Sequence, residues 1–330
     1  MNHKLFIIPA LLMLIFCNCC ESLTGRNSSA DPIHINRFDK ALFQLIAQDT
    51  PDLQEKITAG YPEILHIIGL GVFDISDINN PVFFDKLINY YAEPALNKLY
   101  RDAIKQFDNI NRIEADLGAG FQYLKSCFPT MQIPAVYIHV SGLQQNTLVS
   151  DSLLSVSIDK YLGFDYPLYQ DFFFDYQLRK MIPERIVPDY LKAWLLSEYP
   201  FKGNSRVLLD RMIHEGKILY IIHKALPKVL PEVLSGYSSS EYQWCKKNEK
   251  VVWKTMIERN HLYTPDAATT ESYFSDRPSD FFSNDAPGNL GSWIGRQIVT
   301  KYMDRMKVSI EDLMNDTDYQ EILRVSRYKP

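Results

Sequence analysis

A predominantly helical α+β fold with one small sheet is predicted by three features of the chain. Prolines open one short helical segment after another through the first hundred residues of the body. Alternating and β-branched residues are confined to positions 133–158. Long amphipathic segments then resume after Asp159. The expected organisation is a leader at 1–20, a tether at 21–32, a helical lobe at 33–130 and an α+β lobe at 131–330, the lobes packed as one body.

The leader holds one basic side chain, Lys4, an apolar run over residues 5–16 and no acid, which is the layout of a secretory signal. Such a run is too short to span a bilayer as a stable helix. It stops at Cys17-Asn18-Cys19-Cys20, and a cysteine directly after a signal's apolar core is where bacteria attach acyl chains such as palmitate. Cys20 is read as the acylated residue, with Cys19 as the alternative, although neither is preceded by the small residue usual there. Several acyl chains, at about 0.8 kcal/mol per buried methylene, would make attachment effectively permanent. Ordinary secretory cleavage without lipid is the competing reading, and no small-x-small site lies just beyond the apolar run to support it. Residues 21–32 are polar and aperiodic and read as the tether.

Residues 33–56 start extended and turn helical, with Phe38, Leu42, Leu45 and Ile46 at spacings of three to four. Helices follow at 62–68, 81–91, 94–107 and 113–127, so this lobe reads as all-helical. Residues 134–140 and 153–158 have strand character, and the turn formers between them suggest a hairpin or two strands of a small sheet. Helices are expected again at 169–181, 186–199, 206–226, 239–260, 290–306 and 310–326. Residues 264–288 read as one long loop, a length uncommon without a functional reason.

About 300 residues beyond the tether suffice for a substantial core. Of 35 basic residues only Lys4 lies in the leader, leaving 34 against 40 acidic ones and a net charge near −6, which does not suit nucleic acid. Cys127 and Cys245 stand far apart without the spacing of a redox or zinc motif, and a disulfide or two free thiols both remain open.

The segment 206–226 (RVLLDRMIHEGKILYIIHKAL) is apolar on nearly every side yet carries Asp210, His214 and Glu215 in its middle. His214-Glu215-Gly216-Lys217-Ile218 copies the zinc-protease pattern H-E-x-x-H up to its last position. Two histidines one turn apart share a helix face and can grip one ion while the Glu activates its bound water. Ile218 cannot bind a metal, so one ligand is lost. Asp210, four residues before His214, and Glu249, on the following helix with Glu241, are the carboxylates that can substitute, with Glu215 as the candidate base. The opposing reading is a satisfied polar network inside a helical core, with Glu241 and Glu249 in surface ion pairs. No cofactor is expected on that reading, and zinc is expected on the other. His223 lies off the face of His214 and reads as a partner for the helix C-terminus; His34, His66, His139 and His261 lack ligand spacing. Gly291 and Gly295, four apart on a predicted helix, fit neither phosphate-loop pattern and read as a face cleared for helix packing. The aromatics Tyr166, Tyr169, Phe172, Phe173, Phe174 and Tyr176 leave a periplasmic ligand-binding role as a further reading, against the commoner use of such residues as core.

Several segments, taken in order, resemble the GldB family of gliding-motility lipoproteins of Bacteroidetes. They are residues 35–39 (INRFD), 133–142 (IPAVYIHVSG), 159–163 (DKYLG), 186–189 (IVPD), 209–220 with the His-Glu-Gly-Lys core, 244–253, 286–299 and 326–330 (SRYKP). The resemblance implies a lipoprotein of the cell envelope, facing the periplasm or outer membrane, with partners in a gliding or associated secretion machinery and no nucleic-acid partner. It also implies a distant likeness to zincin-type metalloproteases through His214, Glu215 and the Gly291/Gly295 helix. Proteolysis is not expected to be inherited, since Ile218 replaces the second His.

Overall fold

The computed structural model describes residues 31–330 apart from Ser76, Pro81, Ser279, Asp280 and Asn284. The leader and the lipidation candidates Cys19 and Cys20 lie outside the described residues. Among those described, sixteen α-helices surround one four-stranded sheet. None of the described helices is long and apolar enough to cross a membrane.

The first half builds β1 (Ile35–Asn36), α1 (Phe38–Gln48), α2 (Pro51–Gly60) and α3 (Pro62–Ile68), which runs into a π-turn at Gly69–Phe73. It continues as α4 (Val82–Ala92), α5 (Pro94–Gln106) and α6 (Asn111–Cys127). Prolines occupy the first turn of α2, α3 and α5, where a missing N–H costs no intrahelical bond. Thr50 and Glu93 cap two of these helices by accepting from the amides of Leu53 and Leu96. The lobe is not purely helical as expected. β1 pairs with a strand a hundred residues away, Ile35 lying opposite Val136.

That strand is β2 (Ala135–His139), followed by β3 (Thr147–Val149) and β4 (Leu153–Ser157), in the order β1-β2-β4-β3. β2 and β4 run parallel, so the two strands expected from the sequence do not form a hairpin with each other; β3 and β4 do. All five residues of β4 are buried, and a strand of that kind takes a neighbour on each side. The chain therefore leaves β2, passes through residues 140–146 and returns as the outer strand. Asp159, just past β4, pins that passage by accepting from the amides of Ser141 (3.2 Å) and Leu143 (2.7 Å). Gly142 and Leu143 both take positive φ there, +68° and +69°.

The second half contains α7 (Pro167–Gln170), α8 (Asp175–Leu178), α9 (Ile186–Glu198), α10 (Leu208–Ala225), α11 (Pro231–Ser235) and α12 (Ser239–Glu258). It ends with α13 (Ala267–Phe274), α14 (Leu290–Met306), α15 (Ile310–Asn315) and α16 (Tyr319–Ser326). Three expectations change. The helix expected at 169–181 is two single turns, with Phe172 and Phe174 each 67% exposed between and beside them. The long loop at 264–288 contains α13, capped by Asp266. The final helix breaks at 316–318, where Asp316 and Asp318 bond the amides of Asp318 and Glu321 and so compete with the helical ladder.

The apolar core forms two clusters. One gathers the sheet, α1 to α6, α9 and the second half of α10, with Ile218, Ile221 and Ile222; the other gathers Leu208, Leu209, Met212 and Ile213 with α12 to α16. Helix α10 is thus a member of both. Cys127 and Cys245 are free thiols.

Candidate functional site

Helix α10 presents a different neighbour on each side, which explains why its sequence is apolar almost all round. Toward α14 the contact is backbone on backbone: a Cβ at Gly295 would overlap the Met212 carbonyl, and a Cβ at Gly216 would overlap the backbone of Gly295. Gly291, one turn earlier on α14, faces α13 instead, with Phe274 ring atoms 2.8 Å from where its Cβ would stand. The two glycines of α14 thus serve two different helices.

The polar residues of α10 diverge. His214, 6% exposed, lies against the Phe201 ring at 5.3 Å between centroids, and its Nε2 is buried without a hydrogen-bond partner. Burial pushes its pKa below the ordinary imidazole value, so it is neutral. Asp210 turns back to accept from the Asn204 amide (2.9 Å), and burial raises its carboxyl. Glu215 points to a different side, 3.3 Å from Lys192 of α9. Burial opposes its charge, but Lys192 outweighs that and holds the carboxyl below its usual range. Glu249 accepts from the Tyr328 hydroxyl (2.7 Å) and does not join them. Asp210 and Glu215 bond elsewhere and His214 Nε2 bonds nothing, so the shared polar network expected of Asp210, His214 and Glu215 does not form. Among the described residues no three His, Cys, Asp or Glu side chains gather as a metal set. His223 is pushed down to about 3, by burial first and then by Arg296, and is therefore not the charged helix-end partner that its position suggested. Glu241 pairs with Arg179 at 2.6 Å and closes a capping box with Ser238.

A cleft of about 380 Å³ is lined by Lys192, the partner of Glu215, and is bounded by β3, α9 and the turn after β4. Its basic lining is Lys160, Lys180, Arg185 and Lys192, against the carboxylates of Asp189 and Asp276. Arg185 is held by the Val233 and Leu234 carbonyls and by Asp189 one turn on, while Lys180 pairs with Asp276. Lys160 donates to the Leu143 carbonyl (2.9 Å) and lies 4.6 Å over the Phe173 ring. Phe173 lines the cleft between the exposed Phe172 and Phe174.

The remaining wall is a sheet edge. The Ser157 amide bonds the Asn146 carbonyl and the Ser150 amide bonds the Leu153 carbonyl, so positions 146, 148 and 150 of the β3 segment face β4. By the alternation of an antiparallel pair, the N–H and C=O of Thr147 and Val149 point outward. Thr147 lines the cleft. Reasoning from sequence missed this site because its cations come from three separate segments: the turn after β4, the turn after α8, and α9 with its N-cap. One signal was available: Arg185, Asp189 and Lys192 repeat at helical spacing on the otherwise apolar α9.

The chain matches the family model described as "Gliding motility protein GldB" over residues 24–330. No curated protein and no solved structure matches it.

Proposed function

This chain belongs to the GldB family of gliding-motility lipoproteins, and from that premise we propose that it is a non-enzymatic component of the cell envelope which holds an extended segment of a partner protein. The segment would lie in the cleft beside β3, as a strand added to the sheet edge. The partner belongs to the gliding apparatus or the secretion machinery associated with it. The observation that carries the reading is the outward-facing backbone of β3 at Thr147 and Val149, an edge whose Thr147 end lines a cleft with four cations and two carboxylates. Backbone bonds to such an edge supply affinity, and the cations favour a segment bearing an acidic side chain. Export and acylation at Cys20 or Cys19, facing the periplasm or outer membrane, complete the proposal. A zincin-like ancestry for the lobe around α10 belongs to it as well, and the separation of His214 from Glu215 supports a body that has left hydrolysis behind.

Val149→Pro tests the edge, because it removes an outward N–H without touching a bond to β4. In a strain that glides, the variant is expected to accumulate normally and to lose gliding or secretion, as the gene deletion does. Normal gliding and secretion in the deletion strain would overturn the reading.

An altered metallopeptidase has one observation in its favour, the buried and unpartnered Nε2 of His214. The carboxylates that would complete its site point elsewhere, Asp210 to Asn204 and Glu249 to Tyr328. Zinc analysis of the purified protein decides: stoichiometric metal lost on His214→Ala would restore the peptidase and remove the present proposal.

A further inference from the structure

A second and larger cavity, about 570 Å³, lies on the other side of α9, between α6 and the turn that follows α10. Its walls are Ile113 and Tyr123 of α6, Val187 of α9, Leu226, and Leu230 and Val233 near α11. Leu230 is 60% exposed and joins the other apolar walls in an open contiguous patch, the kind of surface that marks a binding site. The rim is ionic, with Arg112, Lys224 and Lys228 against Asp116 and Glu184.

The place where the chain enters the body lies on the same helix. Gly118 leaves room for the Asp31 carbonyl and the Ile33 amide, and Ile33 donates to the Glu114 carbonyl at 3.2 Å. On α6 the exposed positions Ala115 and Gln122 separate this entry point from the cavity wall at Ala119, roughly the 10 Å width of one helix. If Cys20 is acylated, eleven residues separate the lipid from Asp31, a span of at most about 40 Å when fully extended. The cavity mouth is therefore within reach of the bilayer surface that holds the anchor.

We propose that this groove seats on that bilayer and takes up an acyl chain of an anionic phospholipid, with the headgroup phosphate between Arg112, Lys224 and Lys228. The inference rests on the lipid-anchor reading above. An apolar trough with a cationic rim matches the two ends of such a lipid, and its volume lies in the ordinary range for ligand sites, about 300–1,000 Å³. Seating there would leave the cleft beside β3, on the opposite side of α9, turned toward other occupants.

The test uses the purified full-length lipoprotein reconstituted in phosphatidylglycerol/phosphatidylethanolamine vesicles that contain a phosphatidylglycerol with a photoactivatable acyl terminus. Adducts mapped by mass spectrometry are expected within residues 113–123 and 224–233. They should fall at least fivefold in Leu230→Glu and in Ala119→Glu, two exposed positions on opposite walls, each checked for native circular dichroism. Replacing phosphatidylglycerol by phosphatidylcholine should lower the yield at least threefold. Adducts outside both segments, yields indifferent to both substitutions, or cross-links from these segments to a second copy of the chain would each overturn the groove. The anchor is read separately, by replacing Cys17, Cys19 and Cys20 together with Ser and following the membrane fraction. A chain that stays in that fraction unchanged would refute acylation, whatever the adduct map shows.

Discussion

Lys217 is 1% exposed on α10, donates to the Asp316 carbonyl and lies over the Tyr319 ring. Burial pushes its pKa down to about 8, against about 10.4 in an unfolded chain. Between those values the unfolded chain holds a proton that the folded one has released, so this group's contribution to stability rises with pH. It is complete above the unfolded pKa and is lost as pH falls through 8. The stability of the native protein relative to Lys217→Met should therefore improve by about 2 kcal/mol between pH 7 and pH 10. Urea unfolding of both proteins at the two pH values measures it, and a difference that stays constant would mean that Lys217 is not desolvated. The same residue shows what a motif can hide. His214, Glu215 and Lys217 are near neighbours in sequence, yet they face Phe201, Lys192 and the Asp316 carbonyl respectively.

Among the elements, α10 and α14 cross where backbone meets backbone, at Gly216, Gly295 and Met212. Gly295→Ala places a methyl group on the Met212 carbonyl, and neither backbone can yield without moving a helix. Overpacking of this kind costs about 1–3 kcal/mol and occasionally more; we expect the upper end, seen as a lowered thermal midpoint, while Gly60→Ala, with nothing within 4 Å, should leave the midpoint nearly unchanged. Equal midpoints for the two would refute the close approach. Much at this scale was legible in the sequence. Proline-opened starts located α3, α4 and α5, and apolar periodicity located α6, α10 and α14 within two residues of their ends, whereas the segment expected to turn helical through residue 56 divides into α1 and α2. What could not be read was partnership. Alternation marks β2 and β4 as strands but not as parallel neighbours, and nothing local to Ile35-Asn36 announces a strand whose partner lies a hundred residues on. The cleft was hidden for the same reason, since Lys160, Lys180 and Lys192 meet only after the chain has folded.

For the molecule as a whole, the passage of α10 through both apolar clusters ties them together. Neither can lose its order without stripping half of that helix, so the body should unfold in one transition. Trp194 reports on the first cluster and Trp293 on the second. Fluorescence of variants that keep either one, with the other tryptophans replaced by Phe, should give coincident urea midpoints; midpoints separated by more than their error would show two independent units. The entry segment is attached more lightly than this. Asp31 to Asn36 is held by the niche at Gly118, by the Ile33 and Ile35 amides on Glu114 and by a two-residue strand. If the protein is moored by its leader end, a tug from a partner held in the cleft passes through the body and is borne at this joint. Those few bonds are then a mechanical fuse: under load the joint peels and lengthens first, and the cleft keeps its shape while it does.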